Sequence, residues 1–282
     1  MTCRVHFQAL CTALGLDPDA PDVLETLRDP TKTPWSAITR AIETSAVGIY
    51  GTFRGCLNSD WLPTSPDPMA WQRSGGLARG LREHGVRSIV VGDLSEEWYL
   101  YSIAHPISTP ADIAPNLRRY FPQDMVDGCL NAWRKIPDDA GTEDSQRLYG
   151  EILSCGQVHL PIRLLAEDLH AAGFPVLRYA IDWTPLQNRV EGYVTHGTDR
   201  CLWALRLPNL DEVQANIAKK WLDTIDLERN ILEEEGKPIR GVKDVLVLDQ
   251  ETQIKWKEDT KWDGFMSLKS ILPIETVYQG HE

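Results

Sequence analysis

Apolar residues between Val5 and Leu27 recur at helical spacing, interrupted by Gly15 and by the Asp17-Pro18-Asp19 turn. The same period predicts helices over residues 35–42, 74–84, 113–133, 144–153, 160–172 and 210–222. Ser74 reads as an N-cap, Gly85 and Gly173 as C-terminal stops, and Asn209 or Asp211 as the start of the last helix. Trp221 falls on the apolar stripe of that helix, and Glu233-Glu-Glu-Gly236 reads as a solvated helix end. The stretch 53–68, rich in Pro, Asp, Ser and Asn, reads as a loop.

Three short runs break the helical period: Ser88-Ile-Val-Val-Gly92, Phe174-Pro-Val-Leu-Arg-Tyr-Ala-Ile181 and Val245-Leu-Val-Leu248. Mostly apolar runs of this length suit strands buried on both faces of a parallel sheet. Strands separated by long helical segments predict an α/β layer fold, organised as one domain over residues 1–282. Three strands are few for so many helices.

Composition narrows the function without naming it. The 282 residues are 42% apolar and 25% charged, an ordinary soluble balance with room for a sizeable core. A net charge of -12 and the lack of any Lys/Arg cluster argue against a nucleic-acid partner. No apolar run approaches the ~20 residues a membrane span needs. The N-terminal apolar stretch, broken by His6 and Gln8, makes a poor secretory leader. Cys3, Cys11, Cys56, Cys129, Cys155 and Cys201 form no CxxC pair, which points to reduced thiols and no zinc or redox motif. A cytosolic address is the expectation.

Two loops are candidates for chemistry because each follows a predicted buried strand, where ligands gather in doubly wound sheets. One is Gly92-Asp-Leu-Ser-Glu-Glu97-Trp-Tyr99; the other is Gly192-Tyr-Val-Thr-His196-Gly-Thr-Asp199. Taken alone, a histidine in a Thr-His-Gly loop reads more readily as a surface or capping residue.

The two loops together resemble those of the type B carboxylesterase (cholinesterase) family of α/β-hydrolases. There a glycine lies five positions before the acid of the triad, which lands on Glu97 and leaves Glu96 the weaker candidate. The family's histidine loop has His-Gly followed two positions later by a carboxylate, which places the histidine at His196 and that acid at Asp199. The strand before His196, the run Val245-Leu-Val-Leu-Asp and the segment Glu258-Asp-Thr-Lys-Trp262 are similar to the family's last strands in its fungal intracellular branch. The resemblance covers most of the chain from about Phe53 onward and extends to residues 8–27. It implies a partial α/β-hydrolase fold, the last three strands of a mostly parallel sheet with many flanking helices. It also implies hydrolysis of small carboxylic esters without a metal or organic cofactor.

Serine should come before acid and histidine in such a chain, yet no Gly-x-Ser-x-Gly elbow and no His-Gly-Gly-Gly stretch occurs. Ser74 reads as a cap, Ser95 as a turn residue and Cys155 as core. The expectation is a C-terminal domain lacking the nucleophile half, with Glu97 orienting His196 and hydrolysis by this chain alone close to nil. The Glu97 carboxylate should then lie about 2.6–3.2 Å from a ring nitrogen of His196. Two alternatives stay open: a non-hydrolytic protein that binds a small apolar ligand or uses the pair for proton transfer, and a subunit completed in trans. Trp61, Trp71, Trp98, Tyr99, Tyr101 and Trp183 are candidates to wall a pocket, and Arg118-Arg119 reads as a solvated helix face. The apolar run from Ser88 to Val91 would present an unpaired sheet edge, a place for self-association or a partner.

Overall fold

The computed structural model describes residues 2–44, 65, 67–205 and 209–271. The loop expected at 53–68 falls almost wholly outside them, as does Trp61. Helices α1 (Thr2–Ala13) and α2 (Val23–Arg28) take up the first periodic stretch, and α3 (Trp35–Thr44) is the helix expected at 35–42. The helix expected at 74–84 is two helices, α4 (Pro68–Arg73) and α5 (Gly76–Glu83). Ser74 is therefore no N-cap. It closes α4, its hydroxyl donating to Trp71 O at 3.0 Å, while Gly75 opens α5 in the left-handed region at φ 79°.

Strand β1 (Ile89–Leu94) leads through α6 (Trp98–Ser102), α7 (Ile113–Leu117), α8 (Gln123–Ala132), α9 (Thr142–Ser154) and α10 (Leu160–Ala171) to β2 (Val176–Ile181). The single helix expected over 113–133 is split in two: Pro122, which lacks an N–H, stands extended at ψ 161° just before α8. Between α9 and α10 the backbone widens into a π turn, Cys155–His159. Pro161, just inside α10, has no N–H for the carbonyl four residues back, and the wider turn absorbs that loss without ending the helix. After β2 come α11 (Arg200–Trp203), α12 (Glu212–Glu235), β3 (Asp244–Leu248), β4 (Ile254–Glu258) and α13 (Trp262–Ser267). Asp211 caps α12 by accepting from Gln214 N at 2.8 Å, and Gly236 at φ 66° ends it, well beyond the residue 222 expected.

The sheet has four strands in the order β1-β2-β3-β4, one more than expected. β1, β2 and β3 are parallel, and β4 pairs antiparallel with β3. One face is apolar: Leu94, Leu177, Ile181, Leu246 and Leu248 pack under Trp221 and Ile225 of α12. The opposite face buries charge. Asp93 takes His159 Nδ1 at 2.7 Å and Arg163 Nη1 at 2.8 Å, and Arg163 and Arg178 both reach Asp259 ahead of α13. Among the described residues, the two edges of the sheet differ. β4 presents Lys255 and Lys257, both pairing with Asp249, whereas β1 carries a half-buried Ile-Val-Val run with no charge.

The charged face sets an acid limit. Burial alone would raise the Asp93 carboxyl, but the hydrogen bond and charge of His159, with Arg163, hold it down at about 2 from 3.8. A carboxylate held below its unfolded value stabilises the fold above that value and loses the contribution as pH falls through the folded one. Unfolding free energy should thus drop by about 2 kcal/mol between pH 3.8 and about 2. Urea titrations across that window should show the slope, and Asp93→Asn should flatten it.

Candidate active site

β1 and β2 end side by side, with Leu94 opposite Ile181. Gly92 makes that pairing possible. A side chain there would sit 2.1 Å from Tyr179 O and 2.5 Å from its ring, so only glycine lets β2 lie this close. Residues 95–97 then turn, Ser95 N–H reaching Ile181 O at 3.1 Å, and α6 begins. The turn drops Glu97 into the interior, where its side chain is 2% exposed. One carboxylate oxygen accepts from Leu94 N at 3.3 Å; the other lies 3.1 Å from Nδ1 of His196.

His196 comes from the loop beyond β2. Thr198 donates to Thr195 O at 2.7 Å, and Gly197, at φ 81°, supplies the left-handed turn that lifts the histidine out of the loop. Its ring stays 49% exposed. The structure thus brings together the two residues singled out in the sequence, at hydrogen-bonding distance. Burial pushes the Glu97 carboxyl up, and the neighbouring His196 draws it back toward ionisation. Chemically, a buried carboxylate on Nδ1 fixes the proton there and leaves Nε2 as a base.

Other candidates have different places. Asp199 accepts from the Trp203 indole at 2.8 Å and anchors α11. Ser95 is a turn residue, and Cys155 is buried, its thiol pushed up to about 12 by that burial, so it is no thiolate. Arg118 and Arg119 are exposed. The aromatics divide. The Tyr101 ring meets His196 edge-on at 6.3 Å, its phenol raised to about 12 by burial and by Glu97. Tyr99 stacks on Tyr193 at 4.4 Å with Trp98 edge-on beside both. Trp71 instead covers Gly76 and Gly80 of α5, and Trp183 packs on the α12 core. Two cavities lie away from the pair, one between α8 and α10 around Cys129 and Cys155, the other beside His170 and Arg240. Among the described residues, no three metal-binding side chains converge and no helix is long and apolar enough to cross a membrane.

Sequence reasoning passed over Glu96. Its backbone N–H donates to Val194 O at 3.0 Å and its carboxylate accepts from Val194 N at 2.7 Å. Such bonds to backbone leave no signal in residue type.

Comparison with known proteins agrees with this architecture. No family model matches the chain. An uncharacterised esterase/lipase of Schizosaccharomyces pombe is 25% identical over 228 residues, 75% of this chain and 41% of that protein. A solved PNB esterase superposes with a TM-score of 0.63 at 15% identity, covering 93% of this chain and 53% of its own. The Geobacillus stearothermophilus carboxylesterase EST55 gives 0.55 at 14%, with the same coverage. The fold is that of an α/β-hydrolase. The chain shares that fold with these esterases and spans about half the length of the relatives it matches.

Proposed function

We propose that Glu97 and His196 are the acid and base of a carboxylic-ester hydrolase site, and that the serine nucleophile is supplied by a segment outside this chain. The observation that carries this reading is the 3.1 Å contact between a buried carboxylate and a half-exposed imidazole at the ends of adjacent parallel strands. Nε2 of His196 would take the proton of a serine hydroxyl as it attacks the ester carbonyl, then return it to the leaving alkoxide. Glu97 would hold the tautomer and stabilise the imidazolium.

The supporting features are local. The sequence contains no Gly-x-Ser-x-Gly and no oxyanion stretch, so the pair has nothing of its own to deprotonate. The Ile89-Val-Val run at the β1 edge gives a parallel strand a place to pair, and the end of such a strand would come up beside β1's own end, next to the acid loop. Cys11, Cys129, Cys155 and Cys201 are free thiols, which supports a reducing, cytosolic setting as part of the reading.

The direct test is hydrolysis of a short-chain nitrophenyl ester by the purified chain beside His196→Ala. Rates at the buffer level in both are expected. Turnover that disappears with His196 would reveal a nucleophile within this chain and overturn the division of labour. Saturable binding of a small apolar ligand with no turnover would instead favour a non-hydrolytic use of the same pair.

A further inference from the structure

His196 stands on a loop, half-exposed, and its 3.1 Å contact with Glu97 is long for a charge-assisted bond. Something else must hold the two loops in register. The bonds between Glu96 and Val194 do so. They run in opposite directions, N–H to carbonyl at 3.0 Å and amide to carboxylate at 2.7 Å, so they fix both separation and tilt. Val194 is 2% exposed and belongs to the core under α12, so the clamp ties the histidine loop to the rigid part of the molecule. Thr195 adds a second stitch, its hydroxyl accepting from Leu100 N at 3.1 Å.

We propose that Glu96 is a positioning residue: its carboxylate grips the Val194 amide two residues before His196 and keeps Nδ1 of the imidazole on Glu97. The proposal rests on reading His196 as the base, but its test uses no activity and stands if the ester assay fails. Which ring nitrogen carries the proton is set by the hydrogen bond the other makes. With the clamp open, His196 swings into solvent and loses its fixed tautomer.

The experiment is nitrogen-15 NMR of the full chain with labelled histidine, beside amide hydrogen exchange at Val194. The wild type should show His196 protonated at Nδ1. Glu96→Ala should lose that signature and speed Val194 exchange about tenfold, the factor a hydrogen bond to a charged group is worth. Glu96→Gln should keep the tautomer, because a carboxamide oxygen still accepts from the Val194 amide. A merely structural role would lower Tm and leave the His196 nitrogens as they were. The proposal is overturned if Glu96→Ala leaves tautomer and exchange unchanged, or if Glu96→Gln behaves like Glu96→Ala. Should Glu96→Ala fail to fold, wild-type exchange decides: protection of Val194 above the Gly192 amide supports the clamp, and equal rates sink it.

Discussion

Joined to the part of the Schizosaccharomyces pombe relative that it does not match, this chain is expected to hydrolyse short-chain esters, and His196→Ala to abolish that activity. The loss should be on the order of 10^6-fold in kcat, because serine and histidine act as one unit and removing either disables both. Glu97→Gln should cost less, about 10^4-fold, since the histidine remains and only its tautomer and imidazolium are unsupported. This order separates an acid–base pair from a structural one: if Glu97 merely packed the turn after β1, its variant would change folding and leave kcat alone. A soluble fusion that hydrolyses nothing, or one indifferent to His196, would falsify the assignment.

The second large effect concerns the charged face of the sheet. Asp259→Ala should lower unfolding free energy by about 3–5 kcal/mol, the usual consequence of removing one partner from a buried ion pair. Asp259 is 7% exposed on its side chain and serves two guanidiniums, each only 4% exposed. Without it Arg163 keeps Asp93, but Arg178 loses its carboxylate partner and keeps the Val242 carbonyl at 3.1 Å and the Trp262 ring at 4.7 Å. The cost should fall mainly on the unpaired cation. Asp259→Ala combined with Arg178→Met should therefore recover much of the loss, a coupling that double-mutant analysis of urea midpoints would read directly. If the double variant were as weak as the sum of the singles, the network would not be the unit described.

The parts of this molecule legible in its sequence are those whose physics is local. β1, β2 and β3 were marked by short apolar runs, because a strand covered on both faces has no polar side to show. β4 was missed: Ile-Lys-Trp-Lys-Glu carries the alternation of a half-buried edge strand rather than the mostly apolar run that marked the other three. Ser74 reads as a cap because serine caps helices often, but the backbone puts it after α4. The pair Glu97 and His196 was singled out only through the resemblance of two loops to those of a known family; residue types and spacing alone made His196 a surface or capping residue. The partners of Asp93 were not legible, since His159 and Arg163 lie 66 and 70 residues away and are aligned by a π turn that only Pro161 foreshadows. Glu96 was set aside as the poorer acid, and its contact with a backbone amide is invisible at the level of residue types.

The unequal edges of the sheet also bear on stoichiometry. Two copies meeting through β1 across a two-fold axis would join antiparallel, each using the same strand, and the contact would then be closed. Growth past two would require a fresh strand to add at β4, where Lys255 and Lys257 of one molecule would face the edge of the next. With one receptive side and one guarded side among the described residues, such edge pairing would end at a dimer rather than extend as a fibre.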